Sequence, residues 1–466
     1  MLFNSYEFLF LLLPAVLAGY YLFLPKTWRH GWLALASYVF YGWWDYRFCG
    51  LLLLTTTIDY VAGGRIAAAR SPAAKKRWLL ASVCSDLSIL GFFKYYDLGA
   101  ETVNALAQAL GANSGLLPLL HLVLPVGISF YTFQAMSYSI DIYRGHARPA
   151  RSFVDFACYV SLFPQLVAGP IVRYHELDCQ LRERSHTWAK AGAGIVLFVL
   201  GLAKKVLLAD AVAPMAAWGF AQESIGLAGA WSSLLAYTLQ IYFDFSGYSD
   251  MAVGLGLMLG FRFPQNFNSP YKSASITEFW RRWHISLSSW LRDYLYVPLG
   301  GNRRGPVRTY VNLFLTMLLG GLWHGANWTF MLWGAYHGLL LAAERMRGKR
   351  GLTWALPRPL QVAFTFVLVM FGWVLFRAPT LTEAGRMFAG LAGLNGWGAA
   401  WPLAGSGALN WGMLGLGSGV ALAARNTWEI RWRPSIWLAA VLLALFALCV
   451  ATFLVNTSSP FLYFQF

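Results

Sequence analysis

Charge is scarce in this sequence. Asp, Glu, Lys and Arg make up 12% of its 466 residues, about half the share of a soluble domain and too little to cover a water-facing exterior. Hydrophobic residues reach 58% and the mean hydropathy is +0.50. Soluble domains cover much of their exterior with polar groups, so the chain reads as a polytopic membrane protein. Acidic residues are scarcer still, 20 against 36 basic ones, for a net charge of +16. That excess does not mark a nucleic-acid binder, because the basic residues fall in short loops between apolar runs, as positive-inside asymmetry requires. Cysteine is limited to Cys49, Cys84, Cys158, Cys179 and Cys449. They form no CxxC or zinc spacing and three lie within apolar runs, which excludes a disulfide framework and a metal site. There is no solenoid-type repeat, no low-complexity tract and no soluble domain. One membrane domain over 1–466 is expected.

The first apolar run, from Met1, lacks the basic residues that should precede the core of a cleavable signal peptide. Its only early charge is Glu7, and Lys26, Arg29 and His30 follow it. A retained helix with its N-terminus outside the cytoplasm is expected. At ~20 apolar residues per span, roughly eleven to fourteen transmembrane or re-entrant helices fit, giving an all-α fold. Candidates lie near 6–24, 31–46, 48–63, 78–96, 117–140, 153–172, 192–212, 230–260, 309–325, 327–344, 360–376, 407–424 and 435–455. The basic loops 65–77, 143–151, 300–308, 344–350 and 425–433 belong in the cytoplasm, and the weakly charged loop 377–406 outside. Aromatic residues, 17% of the chain, suit two interfacial belts.

Within this apolar background GGLWHGANW, Gly320 to Trp328, places a histidine among glycines and tryptophans. Flanking cytoplasmic loops make 309–344 a helical hairpin. His324, fifteen residues past Thr309, then lies about 22 Å from the cytoplasmic side at ~1.5 Å per residue. Ionisable groups at such depth face an interior or a cavity and are functional candidates, the alternative being a histidine hydrogen-bonded between helices. Gly320-Gly321 and Gly325-Ala326 allow close approach of a backbone or a ligand.

Two further stretches carry polar groups. In Glu278 to Arg303, helical spacing puts Phe279, Trp283, Leu287, Trp290 and Tyr294 on one stripe, among Arg281, Arg282, Arg292 and Asp293. An amphipathic helix in or below the interface is expected, either a surface anchor or part of a site that includes His284. The segment 241–271 holds Asp244 and Asp250, which mark a proton or ion path or hydrogen-bond neighbouring Ser and Tyr hydroxyls.

The sequence resembles the membrane-bound O-acyltransferase family, in its bacterial exopolysaccharide O-acetylation branch, typified by the alginate and cellulose acetylation membrane subunits. The resemblance rests on LPVGISFYTFQAMSYSIDIYRG (124–145), LFPQLVAGPIVRY (162–174), QIYFDFSGYSDMAVG (240–254), FPQNFNSPY (263–271), FWRRWHISLSSWLRDYLYVPLGG (279–301) and LLGGLWHGANWTFMLWGAYHG (318–338), in order. It implies a fold with a central channel and a signature core over about 124–345. The family's two signature polar residues fall on His284 and His324, the first being asparagine in many eukaryotic relatives.

The resemblance implies acyl transfer from a thioester to a hydroxyl, with acetyl-CoA as donor and no metal. Such transfer needs a base near the hydroxyl, a donor for the developing oxyanion and exclusion of water. His324 is the expected base, since imidazole exchanges protons near neutrality. His284 is expected to orient the thioester or stabilise charge, and Asn327 to donate to the oxyanion. Arg281, Arg282 and Arg292, with Trp283, are expected at the CoA site, guanidinium being suited to phosphate; positive-inside bias accounts for the arginines equally. His337 is read as structural, and His30, His121, His146, His175 and His186 carry no comparable context.

The implied reaction takes acetyl from cytoplasmic acetyl-CoA across a bacterial inner membrane to an exopolysaccharide of cellulose or alginate type. The implied partners are membrane lipids, a periplasmic SGNH-hydrolase-like acetyltransferase and a polysaccharide synthesis and secretion complex. Rival readings are an acyltransferase for peptidoglycan, teichoic acid, lipid or protein, a non-catalytic secretion scaffold, and a transporter. The last should show an internal repeat of its spans, which is not found.

Overall fold

Helices form because apolar residues run in stretches long enough to bury the backbone against lipid, where only internally bonded structure is stable. The computed structural model describes residues 1–111, 115–348, 352–353, 355–405, 407–430, 432–455 and 461–462, without the side chains of 454 and 455. Parts of the basic loops at 344–350 and 425–433, and Ser406, lie outside the described residues. All regular elements among the described residues are helical. Arg47–Ala68, Arg358–Arg377 and Ile436–Phe453 are long and apolar enough to cross a membrane by composition alone. Other long helices carry polar groups on inward faces, as Pro72–Ala109 does with buried Asp86 and Lys94.

The described chain divides into two compact units. Unit one comprises Met1–Ala191 and Leu255–Phe263. Its helices Arg47–Ala68 and Ile128–Arg144 meet where Gly63 lacks a Cβ; one there would sit 2.2 Å from the Tyr138 ring. Ser82 joins them, donating to Asp59 Oδ1 at 2.5 Å and accepting from the Ser139 hydroxyl at 2.7 Å. Two expected spans are shorter here. The run 117–140 becomes helical only at Ile128, after Pro125 and a left-handed Gly127 at φ 76°. The run 153–172 is broken at Leu162 (ψ 109°) into Phe153–Ser161 and Phe163–Leu166; Pro164, which has no N–H to bond the carbonyl four residues back and clashes with it, is tolerated only in the first turn of the new helix.

Unit two comprises Gly192–Gly254 and Pro264–Phe466. Its long helix Leu227–Met258 crosses Trp188–Ala203 backbone to backbone, a Cβ at Gly254 coming within 2.5 Å of Gly194 O. Asp244 and Asp250, read as marking a proton or ion path or bonding neighbouring Ser and Tyr hydroxyls, are each paired with a lysine. Lys205 Nζ lies 2.6 Å from Asp244 and Lys204 Nζ 2.6 Å from Asp250. Asp250 also accepts from Thr427 and Trp428, and Asp244 from the Leu462 backbone N–H. A buried charge needs such a partner, and only the tertiary fold brings it near.

The expected hairpin is present as Gly305–His324 and Trp328–Met346, turning at Gly325 to Asn327. Its arms touch through glycine. A Cβ at Gly321 would lie 2.2 Å from Phe330 O, and one at Gly334 2.4 Å from Met317 O. Backbone cannot give way as a flexible side chain can, so Gly334→Leu should cut the membrane-inserted protein to a small fraction of normal. Overpacking costs about 1–3 kcal/mol even for small additions. Gly415→Ala, whose new methyl meets nothing within 4 Å, should leave the amount unchanged. Immunoblots of membrane fractions check both, and a normal level of Gly334→Leu protein would refute tight packing.

Candidate functional site

The segment 276–296 does not form the single amphipathic helix that its periodicity suggested. It consists of Ile276–Arg282, Ile285–Leu291 and a wider π turn, Arg292–Tyr296. The expected stripe is core and not a surface anchor, with Phe279, Trp283, Leu287 and Trp290 all buried. Glu344, from the second arm of the hairpin, accepts from the Ile276 and Thr277 backbone N–H groups at 2.7 and 2.9 Å. A carboxylate suits a helix N-terminus.

The break falls at His284, a left-handed residue at φ 43°, ψ 54°. Such a conformation costs a non-glycine residue about 1–3 kcal/mol and persists only where its surroundings dictate it. Here the loop 263–271 does so. Asn266 O accepts the Ile285 N–H at 2.9 Å, and the Asn268 N–H donates to Arg282 O at 2.9 Å. Asn266 Oδ1 accepts the Ser286 backbone N–H at 3.2 Å and the Ser286 hydroxyl at 2.9 Å. Those two donors identify that end of the carboxamide as oxygen. His284 Nδ1, 3.1 Å from the same oxygen, must then be the protonated nitrogen, and Nε2 of the neutral ring carries the lone pair. Asn266 Nδ2 donates to Ser249 Oγ at 3.0 Å, which completes the clamp. The His284 side chain is fully buried.

His324 ends the first arm of the hairpin and is also buried. Its ring centroid lies 6.4 Å from that of His284, 5.1 Å from Trp333 and 5.1 Å from Phe376. The two histidines, forty residues apart in sequence, therefore share one aromatic chamber. His337 stands behind Trp333, with centroids 5.1 Å apart, and neither ring nitrogen has a hydrogen-bond partner among the described residues.

A cavity of about 610 Å³ opens beside His324, with Trp280 and Trp333 in its wall and Arg281, Arg292 and Arg345 along it. Arg292 is paired with Asp293 at 2.6 Å. Arg282 does not line this cavity; it pairs with Glu278 at 2.8 Å and donates to Asn268 O. Trp283 is packed against Phe279 and Trp373 and is also outside the lining. Asn327 caps the second arm, accepting the Thr329 N–H at 3.0 Å and donating to Pro379 O at 2.7 Å. Its carboxamide is thus engaged at both ends. Sequence reasoning missed Asn266, Arg345 and Phe376. Two asparagines between prolines in FPQNFNSPY were the available signal for the first.

The remaining histidines in ion pairs lie in unit one. His30 Nδ1 meets Asp155 at 2.5 Å, and His175 Nδ1 meets Asp141 at 2.8 Å. His175 lies on the polar helix Tyr174–Arg182, and its hydrogen bond to Asp141 raises its pKa above the ordinary histidine value. Among the described residues no three His, Cys, Asp or Glu side chains cluster as metal ligands.

His324 thus opens on an arginine-lined cavity, with the His284 ring 6.4 Å from its own, in an all-helical chain. The sequence matches the membrane-bound O-acyltransferase family over residues 144–376, and the chain belongs to that family: it is an integral membrane O-acyltransferase. It is 52% identical over 399 residues to a probable alginate O-acetylase AlgI of Azotobacter vinelandii, covering 85% of this chain and 79% of the relative. A protein of the same name from Pseudomonas aeruginosa is 51% identical, covering 85% and 76%. A peptidoglycan O-acetyltransferase of Helicobacter pylori is 38% identical, covering 85% and 80%.

Proposed function

We propose that this enzyme passes acetyl groups from cytoplasmic acetyl-CoA across a bacterial inner membrane for O-acetylation of an alginate-type exopolysaccharide. The observation that carries this reading is the single cavity reaching from His324 to Arg281, Arg292 and Arg345. Guanidinium groups bind phosphate with charge-assisted hydrogen bonds. A nucleotide held there leaves its thin thioester arm to run inward to the histidines. The names of the relatives favour alginate as acceptor over the peptidoglycan alternative.

His324 acts as general base. It takes the proton from the acceptor hydroxyl as that oxygen attacks the thioester carbonyl, and the CoA thiolate leaves as the new ester forms. His284, locked with its lone pair on Nε2, orients the reacting groups, and the aromatic walls exclude water that would hydrolyse the donor. The immediate acceptor hydroxyl belongs to the polymer or to a periplasmic SGNH-type partner within the secretion complex.

Radiolabelled acetyl-CoA offered to inside-out membrane vesicles containing the polymer and the secretion complex should yield ester-bound label. Arg345→Ala should raise the KM for acetyl-CoA about tenfold or more, the worth of one hydrogen bond to a charged group. No label in the polymer would overturn the donor, and an unchanged KM would remove Arg345 from its site.

Sidedness rests on the basic loop at 300–308 and the weakly charged loop at 377–406, with the N-terminus periplasmic. Single cysteines at Arg303 and Ala404, both exposed, in a cysteine-free background test it. An impermeant thiol reagent added to intact spheroplasts should modify position 404 and spare 303. The reverse pattern would invert the topology and the donor side with it.

A further inference from the structure

We infer that Phe376 sets the length of the acyl group this enzyme accepts and holds it to an acetyl. The inference rests on the reading above, with acyl-CoA as donor and His324 as base. The cavity follows one face of the helix Gly305–His324. Leu313, Thr316, Gly320 and His324 line it on successive turns, a run of about 16 Å at ~1.5 Å per residue. The arm of the donor therefore has a path along the helix. Gly320 keeps that path open, since a Cβ there would stand 3.3 Å from Leu291 Cδ1, which also lines the cavity.

The path ends at His324, the last residue of its helix. Beyond it the space is filled with rings. Phe376, near the end of Arg358–Arg377, lies 5.1 Å from His324 and 5.1 Å from Trp333 between centroids. Phe330 closes on Phe376 at 4.9 Å and Trp323 on His324 at 5.0 Å. All four aromatic side chains are buried, and Phe376, Phe330 and Trp323 are not part of the lining. Rings at such separations are in contact, and a close-packed wall of this kind has no gap for a methylene chain.

What meets that wall follows from the shape of a thioester. Its carbonyl carbon is trigonal, so sulfur and the acyl chain leave it in different directions within one plane. With sulfur on the side of the arm and the carbonyl within reach of His324, the acyl chain continues towards Phe376. A methyl group ends there, and each further methylene presses on packed rings, which resist added volume. The acceptor oxygen attacks from outside the carbonyl plane. A wall within that plane thus stops a longer chain without barring the nucleophile.

Inside-out vesicles containing the polymer and the secretion complex test this with acetyl-CoA and butyryl-CoA, each labelled in its acyl group. The measurement is ester-bound label per immunoblotted protein. The unaltered enzyme should transfer butyryl at least about a hundredfold less than acetyl, one methylene being worth about 10- to 200-fold. Phe376→Ala should raise the butyryl-to-acetyl ratio about tenfold or more. Phe376→Leu disturbs the core less and should move the ratio in the same direction. Leu291→Ala widens the cavity on the side of the arm and should leave the ratio unchanged. Comparable use of both donors by the unaltered enzyme would overturn the assignment of Phe376. So would an unchanged ratio in both Phe376 variants, or a rise in Leu291→Ala that matches theirs. Failure of the unaltered enzyme to transfer either label would instead refute the acyl-CoA reading, and the inference with it.

Discussion

His324→Ala is expected to lower polymer-bound acetate by about 10²–10⁴-fold, the range a positioned general base contributes, while the protein inserts at a normal level. The imidazole ends its helix among Trp323, Trp333 and Phe376, at centroid distances of 5.0 to 5.1 Å. Removing it takes a proton acceptor from the end of the cavity without touching the glycine contacts that join the hairpin. Ester-bound acetate per immunoblotted protein is the measurement. Acetylation at the normal rate would eliminate His324 as base, and a parallel loss of protein would assign it to structure.

Asn266→Ala should produce the second large effect, a loss of about 10- to 100-fold, as is typical when a residue orienting a reactive group is removed. Its Oδ1 receives three donors: His284 Nδ1–H, the Ser286 backbone N–H and the Ser286 hydroxyl. Alanine leaves all three buried without that acceptor, at about 1–3 kcal/mol each, and releases the His284 ring to its other tautomer. Asn266→Asp keeps the accepting oxygen and should retain most activity per molecule. Equal loss in both variants would show that Asn266 serves packing and does not set the tautomer. His284 follows the same logic. His284→Asn should be milder than His284→Ala, because asparagine tolerates the left-handed backbone at φ 43° far better than alanine does. Equal loss there would refute an orienting role that asparagine can share.

The class of the protein was legible in composition, because apolar content and sparse charge leave no other solvent than lipid. The hairpin around His324 was legible too. Its glycines, its flanking basic loops and its apolar arms are local features, and the helices end within a few residues of the expected positions. The break at His284 was not. Periodicity in 279–294 continues through it, since a single left-handed residue leaves no trace in the spacing of apolar side chains. Only the loop holding Asn266, eighteen residues earlier in sequence, diverts the backbone there. Likewise Lys204 and Lys205 read as isolated basic residues, and Asp244 and Asp250 as isolated acids, until helix crossing at Gly201, Gly247 and Gly254 brought them into pairs. The arginines could be read from the sequence as cytoplasmic charge. Which of them face the histidine was decided by packing: Arg281, Arg292 and Arg345 line one cavity while Arg282 turns to Glu278. Local propensity sets where a helix can run; which of its side chains meet another segment depends on contacts between residues far apart in the chain.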